Sequence, residues 1–293
     1  MEKVGIITDE GADLTQEIIE KNQIAVVPVK LIWPEMDSVS GDNIFQKMRE
    51  LERKGVKSFG KTSQPSFKDF LDRYNLQLAK FEKVVCVTLT SKLSGTYNSA
   101  VQAKNFLKPE DRERILVVDS LSASAGEALP VLKALDLIKE GKKAEEIKEE
   151  LESLVPKVSL FLIIKDPKWM ETSGRISHTV ANLIRRLIKS GIRPLLAFKN
   201  GKLVPAGFKA DAGDIPTALF KQFESKAGKS KGKSNIRIVI THGDDLKGAQ
   251  RLKEMIESKF DNTEVVFMNI INDIVGAISG PDTLVLSWCE NNQ

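Results

Sequence analysis

Two hydroxyl-rich runs carry the chemistry that the residues make available. The first is Lys61-Thr62-Ser63-Gln64-Pro65-Ser66, and the second is Ser91-Lys92-Leu93-Ser94-Gly95-Thr96-Tyr97-Asn98-Ser99-Ala100. Each leads into a helical pattern. A helix N-terminus offers unpaired N–H groups and partial positive charge, which suit a carboxylate or a phosphate. Serine and threonine also cap helices routinely, and Thr62, Ser66 and Ser94 are open to that reading. Two such turns on neighbouring elements point instead to the polar end of one small ligand. A serine nucleophile competes with this view, but it needs a base. The only histidines are His178 and His242, no Gly-x-Ser-x-Gly elbow is present, and Lys92 would act alone.

Three further groups have weaker claims. Arg175, after Gly174 in a turn, can hydrogen-bond an anion or carbonyl oxygens, or act as a structural clamp between domains. Asp9, Asp13 and Asp119 close strands with no His or Cys beside them, so caps and turns are favoured over a metal. The Gly228–Ser234 run imitates a phosphate-binding loop ending in Gly-Lys-Ser. It is one residue short and comes before a strand where such a loop follows one, so a flexible basic linker is expected there.

The elements that position these turns read as strands alternating with helices. Val4–Ile7, Ile24–Leu31, Val84–Leu89 and Ile115–Val118 are the strands of the first half, with Pro28 marking an edge or bulge. Helices run through Ile44, Met48 and Leu51, then Phe67, Phe70 and Leu71 with Pro65 at the first helical position, and then Ala100, Ala103 and Phe106. Ala128–Leu137 and Ala144–Leu154 are helical too. This alternation builds a parallel sheet with right-handed crossovers, an N-terminal three-layer α/β/α domain over 1–156. After Pro156-Lys157 the pattern changes. Val158–Ile164, a helix through Val180 to Leu187, a hairpin turning at Asn200-Gly201, and the strands Ile236–Thr241, Glu264–Ile270 and Leu284–Trp288 read as a C-terminal two-layer α/β domain with a mixed sheet over 157–293. Residues 225–235 read as a solvated loop.

Composition bounds the rest. The 293 residues suit two domains, and 41% hydrophobic with 29% charged side chains is globular. A formal charge of +4 does not by itself suggest nucleic acid. The abundance of Lys and Glu is compatible with a thermophilic source. Cys86 and Cys289 have no partner at metal or redox spacing and read as ordinary thiols of a reducing compartment. Met-Glu-Lys runs straight into a strand, so no signal peptide is expected, and no apolar run approaches the roughly 18 residues of a membrane span. A cytoplasmic protein is expected.

Six segments together resemble the DegV family of bacterial fatty-acid-binding proteins. They are Thr8-Asp9-x3-Asp13-Leu14, Thr62-Ser63-Gln64-Pro65-Ser66, Ser91-Lys92-Leu93-Ser94-Gly95-Thr96-Tyr97, Asp119-Ser120-x3-Ser124-x-Gly126, Ser173-Gly174-Arg175-Ile176 and Gly276-Ala277-x2-Gly280-Pro281. The resemblance spans nearly the whole chain. It implies a non-enzymatic lipid carrier with a long-chain fatty acid, such as palmitate, in a tunnel between two domains. Thr62 and Ser94 would hold the carboxylate, supported by Ser63, Gly95 and Arg175, with no cofactor and no metal. Each buried methylene of such a ligand contributes about 0.8 kcal/mol. Family members also present the acyl carboxylate to a separate fatty acid kinase, using an Arg, a second basic residue and a His. Here Arg175 is kept, Lys209 stands near the second position, and Ile278 and Asp282 stand where the family has His and Gly.

Overall fold

The computed structural model of the chain describes residues 2–227 and 235–291. Its strands are β1 (Val4–Asp9), β2 (Ala25–Val27), β3 (Lys30–Ile32), β4 (Lys61–Ser63), β5 (Lys83–Thr88), β6 (Ile115–Asp119), β7 (Ser159–Ile163), β8 (Arg193–Lys199), β9 (Lys202–Lys209), β10 (Asn235–His242), β11 (Thr263–Ile270) and β12 (Leu284–Asn291). The chain folds as two compact units. The first comprises 1–30, 63–158 and 199–202; the second comprises 31–62, 159–198 and 203–293.

In the first unit β2, β1, β5 and β6 form a parallel sheet in that order, with Ile7 opposite Cys86 and Thr88 opposite Asp119. All six residues of β1 are buried, as expected of a strand covered on both faces. On one face Ile7, Val84, Cys86 and Ile115 pack with Phe70 and Tyr74 of the helix Phe67–Leu78 and with Ala100 and Ala103 of the helix Thr96–Lys104. The helices Ala125–Lys139 and Ala144–Leu154 cover the other face. This is the three-layer arrangement that the alternating pattern predicts. Pro28 splits the expected second strand into β2 and β3, because proline offers no N–H to a ladder.

In the second unit the sheet order is β11-β10-β12-β7-β8-β9. β10 and β11 are parallel, while β10–β12, β12–β7 and β7–β8 are antiparallel, so the sheet is mixed. The helices Ile215–Ala227 and Leu246–Glu257 lie on it, burying Phe223 and Leu252 among Ile238, Ile240, Leu286 and Trp288. The β8–β9 hairpin turns at Asn200-Gly201, both with positive φ (48° and 79°), as an Asn-Gly turn requires. Residues 225–227 belong to a helix and Asn235 to β10, where a loop is expected from sequence; the Gly228–Ser234 run lies outside the described residues.

The division differs from the contiguous one read from the sequence at 156/157. Residues 31–62 belong to the second unit because of what they bury and pair with. The helix Ile44–Arg53 buries Ile44, Phe45, Met48 and Leu51, a helical stripe, and Phe45 abuts Gly243 and Gly276 so closely that a Cβ there would sit 3.2 or 2.7 Å from its ring. Trp169 meets Trp33 at 5.9 Å and Phe59 at 5.2 Å between ring centroids. Arg49 pairs with Asp244 at 2.6 Å and Asp282 at 2.8 Å. The hairpin turn 199–202 counts with the first unit, where Gly201 accepts the Thr90 hydroxyl at 2.9 Å. These contacts join residues far apart in sequence, which local patterning does not report.

Candidate functional site

The Ser94 turn begins where β5 leaves its sheet. Leu89 N–H donates to Asp9 Oδ2 at 2.9 Å, and Ser91 N–H donates to the Asp119 carboxylate at 3.2 Å. Asp119 also accepts from Leu121 N–H at 2.9 Å, and Asp9 Oδ1 accepts from Gly11 N–H at 2.8 Å. Both aspartates therefore act as turn and cap residues. Asp13 takes the Ser124 hydroxyl. The Ser94 hydroxyl accepts from Thr96 N–H at 3.3 Å and shares a 2.8 Å hydrogen bond with the Thr96 hydroxyl. Gly95 precedes the helix Thr96–Lys104 without a side-chain cap.

Gln64 brings the two hydroxyl turns together, a residue that sequence reasoning passed over. Its amide lies against Gly95 so closely that a Cβ there would sit 1.8 Å from Oε1, and its Nε2 donates to Ser99 Oγ at 3.2 Å. The glycine is thus required by close approach, not by its backbone angle. A long amide flanked by hydroxyl residues is the signal that could have marked it.

The other residues of the first turn separate into different roles. Ser66 is a helix cap: it accepts from Asp69 N–H at 3.2 Å while Asp69 receives Ser66 N–H at 2.7 Å. Helix Phe67–Leu78 starts after it, so Pro65 precedes the cap instead of opening the helix. Ser63 is exposed and donates only to Gln64 O, at 3.3 Å. Thr62, on β4, caps nothing; its Oγ1 accepts from Arg175 Nη2 at 3.3 Å.

Arg175 follows the short helix Lys168–Thr172 through Gly174, whose φ of +75° suits glycine. Its Nη1 donates to Ser173 O at 2.6 Å. The guanidinium is half-buried, and among the described residues no carboxylate pairs with it; burial alone pulls its pKa below the ordinary value, and arginine still stays charged. A desolvated cation with a hydroxyl in front of it can receive an anion.

The histidines do other work. His178 is exposed, with Nδ1 at 2.5 Å from Glu171 Oε1. His242 is buried at the end of β10, and burial pushes its pKa down. Neither belongs to the first unit, where Ser94 has Thr96 as its hydroxyl partner. Asp282 adopts φ +60°, a conformation that favours glycine, and compensates through ion pairs to Arg49 at 2.8 Å and Lys165 at 2.7 Å. Ile278 lies in the helix Asp273–Ser279 and Lys209 ends β9. No helix among the described residues is long and apolar enough to cross a membrane.

A DegV domain-containing protein of Clostridium acetobutylicum is 36% identical over 211 residues, covering 69% of this chain and 71% of the relative. A fatty acid-binding protein of Thermotoga maritima is 28% identical, covering 96% of each chain. The crystal structure of a stearic acid-binding protein of Eubacterium ventriosum has the same fold, with a TM-score of 0.82 at 23% identity over 99% of this chain and 98% of that one. The family model described as "Uncharacterised protein, DegV family" matches residues 3–291, and the chain belongs to the DegV family.

Proposed function

We propose that this protein is a cytoplasmic carrier that binds one long-chain fatty acid, of the palmitate or stearate kind, without a cofactor or metal. Thr62 and Ser94 hydrogen-bond the carboxylate, and Arg175 supplies positive charge. The observation that carries this reading is the 3.3 Å hydrogen bond from Arg175 to Thr62, made by a half-buried guanidinium with no carboxylate partner among the described residues. A hydroxyl that accepts from a cation keeps its own proton to donate, so it faces an anion with increased acidity. Ser94 offers the same chemistry beside a helix N-terminus. The Thermotoga maritima relative is named a fatty acid-binding protein, which supports the ligand class.

Denaturing extraction of the purified protein with mass spectrometry of the released lipid tests the proposal. A stoichiometric fatty acid is expected. A protein that is empty and also refuses added fatty acid would overturn it. Arg175 also favours a second reading, in which the bound acyl group is presented to a fatty acid kinase for phosphorylation of its carboxylate. Incubation of the loaded protein with such a kinase and ATP should then yield acyl phosphate; no product would remove that reading and leave the carrier.

A further inference from the structure

Glu127 is the least expected side chain in the first unit. It sits in the apolar run Ala125-Gly126-Glu127-Ala128-Leu129 at the start of a helix, is fully buried, and faces Asp9, which is buried as well. Glu127 Oε1 accepts from the Thr8 hydroxyl at 3.2 Å, whereas Oε2 receives no donor among the described residues. Asp9 uses its oxygens on the N–H groups of Gly11 and Leu89. Asp9 Oδ1 and Glu127 Oε2 flank one point: a Cβ on Gly11 would lie 2.6 Å from the first and 3.1 Å from the second.

Among the described residues the surroundings supply no counter-charge. Glu10 and Asp13 follow on the loop, with Glu10 receiving Val29 N–H at 2.8 Å and Asp13 receiving the Ser124 hydroxyl. From β5 the neighbour is the Cys86 thiol, with the Tyr74 phenol behind it, and both are neutral. Among the described residues neither Asp9 nor Glu127 pairs with a Lys or Arg. Two ionised carboxylates cannot share a site of this kind, and a buried carboxylate oxygen without a donor is costly.

We infer that Asp9 and Glu127 hold one proton between them at neutral pH, carried on Glu127 Oε2 and donated toward Asp9 Oδ1, and that Glu127 is a positioning residue for the Ser94 turn. Proton-bearing Glu127 steadies the Asp9 carboxylate, and Asp9 in turn fixes Leu89 N–H, where the turn begins. Burial agrees in direction, raising Asp9 to about 6 and Glu127 well above the usual carboxylate range. Both pKa values are higher folded than unfolded. The stability the pair contributes is therefore complete at acid pH and is lost as pH rises through about 6 and above. That the Ser94 turn meets a ligand rests on the carrier reading; the shared proton does not.

The test uses unliganded protein, so its outcome is separate from that of the carrier reading. The infrared spectrum at neutral pH should show the C=O stretch of a protonated buried carboxyl, and Glu127→Gln should remove it. Wild-type melting of the first unit, followed by tyrosine fluorescence, should fall in temperature between about pH 5 and pH 8. Glu127→Gln, which keeps a neutral donor beside Asp9, should fold and flatten that fall. A wild-type spectrum without the band, or a variant that keeps the full pH dependence, would overturn the inference. If the variant does not fold, the wild-type band alone decides.

Discussion

In the first unit Asp9 and Asp119, at strand ends, bond to backbone N–H groups, and Asp9 shares a proton with Glu127 of the neighbouring helix; among the described residues none of the three pairs with a cation. In the second unit the corresponding carboxylates are ionic, with Asp244 and Asp282 clamped by Arg49 and Lys165. The contrast follows solvent access. Asp9 and Glu127 are sealed between a parallel sheet and a helix, where ionisation is expensive. Asp282 lies on a partly open turn, where water shares the cost of charge. The first unit thus presents neutral hydroxyls at the Ser94 turn.

The chain labels this comparison for measurement. All three tryptophans (Trp33, Trp169 and Trp288) lie in the second unit, and both tyrosines (Tyr74 and Tyr97) lie in the first. The largest expected effects are on the cores. Phe70→Ala should destabilise the tyrosine-reported transition, and Phe223→Ala, which loses a ring 5.1 Å from Trp288, the tryptophan-reported one. Each should cost about 3–5 kcal/mol in urea unfolding. Equal shifts of both signals in both variants would break the comparison.

Next in size is the pH response, which should have opposite signs. Taking pH from 7 to 5 protonates Asp9 in its buried pair and stabilises the first unit. In the second unit burial holds the His242 pKa below its ordinary 6.5, so the unfolded chain takes up the proton first and stability falls as pH drops. Melting curves read by the two fluorophores should therefore move apart; parallel movement would assign the titration elsewhere.

The paired substitution Thr62→Ala with Ser94→Ala should weaken fatty acid affinity by about 1–3 kcal/mol, roughly 5- to 150-fold, without altering either transition. Unchanged affinity would remove the proposed roles. Smaller still, Ser66→Ala should cost about 1 kcal/mol in the first unit by removing a cap. Arg49→Ala should cost the second about 1 kcal/mol or less, an effect that fades in high salt because the pairs are partly exposed.

Much of the first unit was legible from sequence because its elements announce themselves locally. β1, β5 and β6 are short runs rich in Val and Ile, and the intervening helices carry apolar stripes. The Asn200-Gly201 hairpin was legible for the same reason. Thr62, Ser94 and Arg175 could be nominated from turn chemistry and family resemblance. Ser66 illustrates the limit: its hydroxyl looks like the others, and only its geometry with Asp69 makes it a cap.

The sequence by itself determined the two sheet types, the hydroxyl turns and the family, since periodicity, turn residues and motif spacing are local properties. Tertiary structure alone decided that 31–62 fold with the second unit, that Gln64 locks onto Gly95, that Arg175 reaches Thr62, and that Glu127 faces Asp9. Each of these joins residues 31 to 118 positions apart, or more, and depends on where side chains end in space. No local preference of the chain encodes that, because the burial that selects these contacts exists only once the layers have packed.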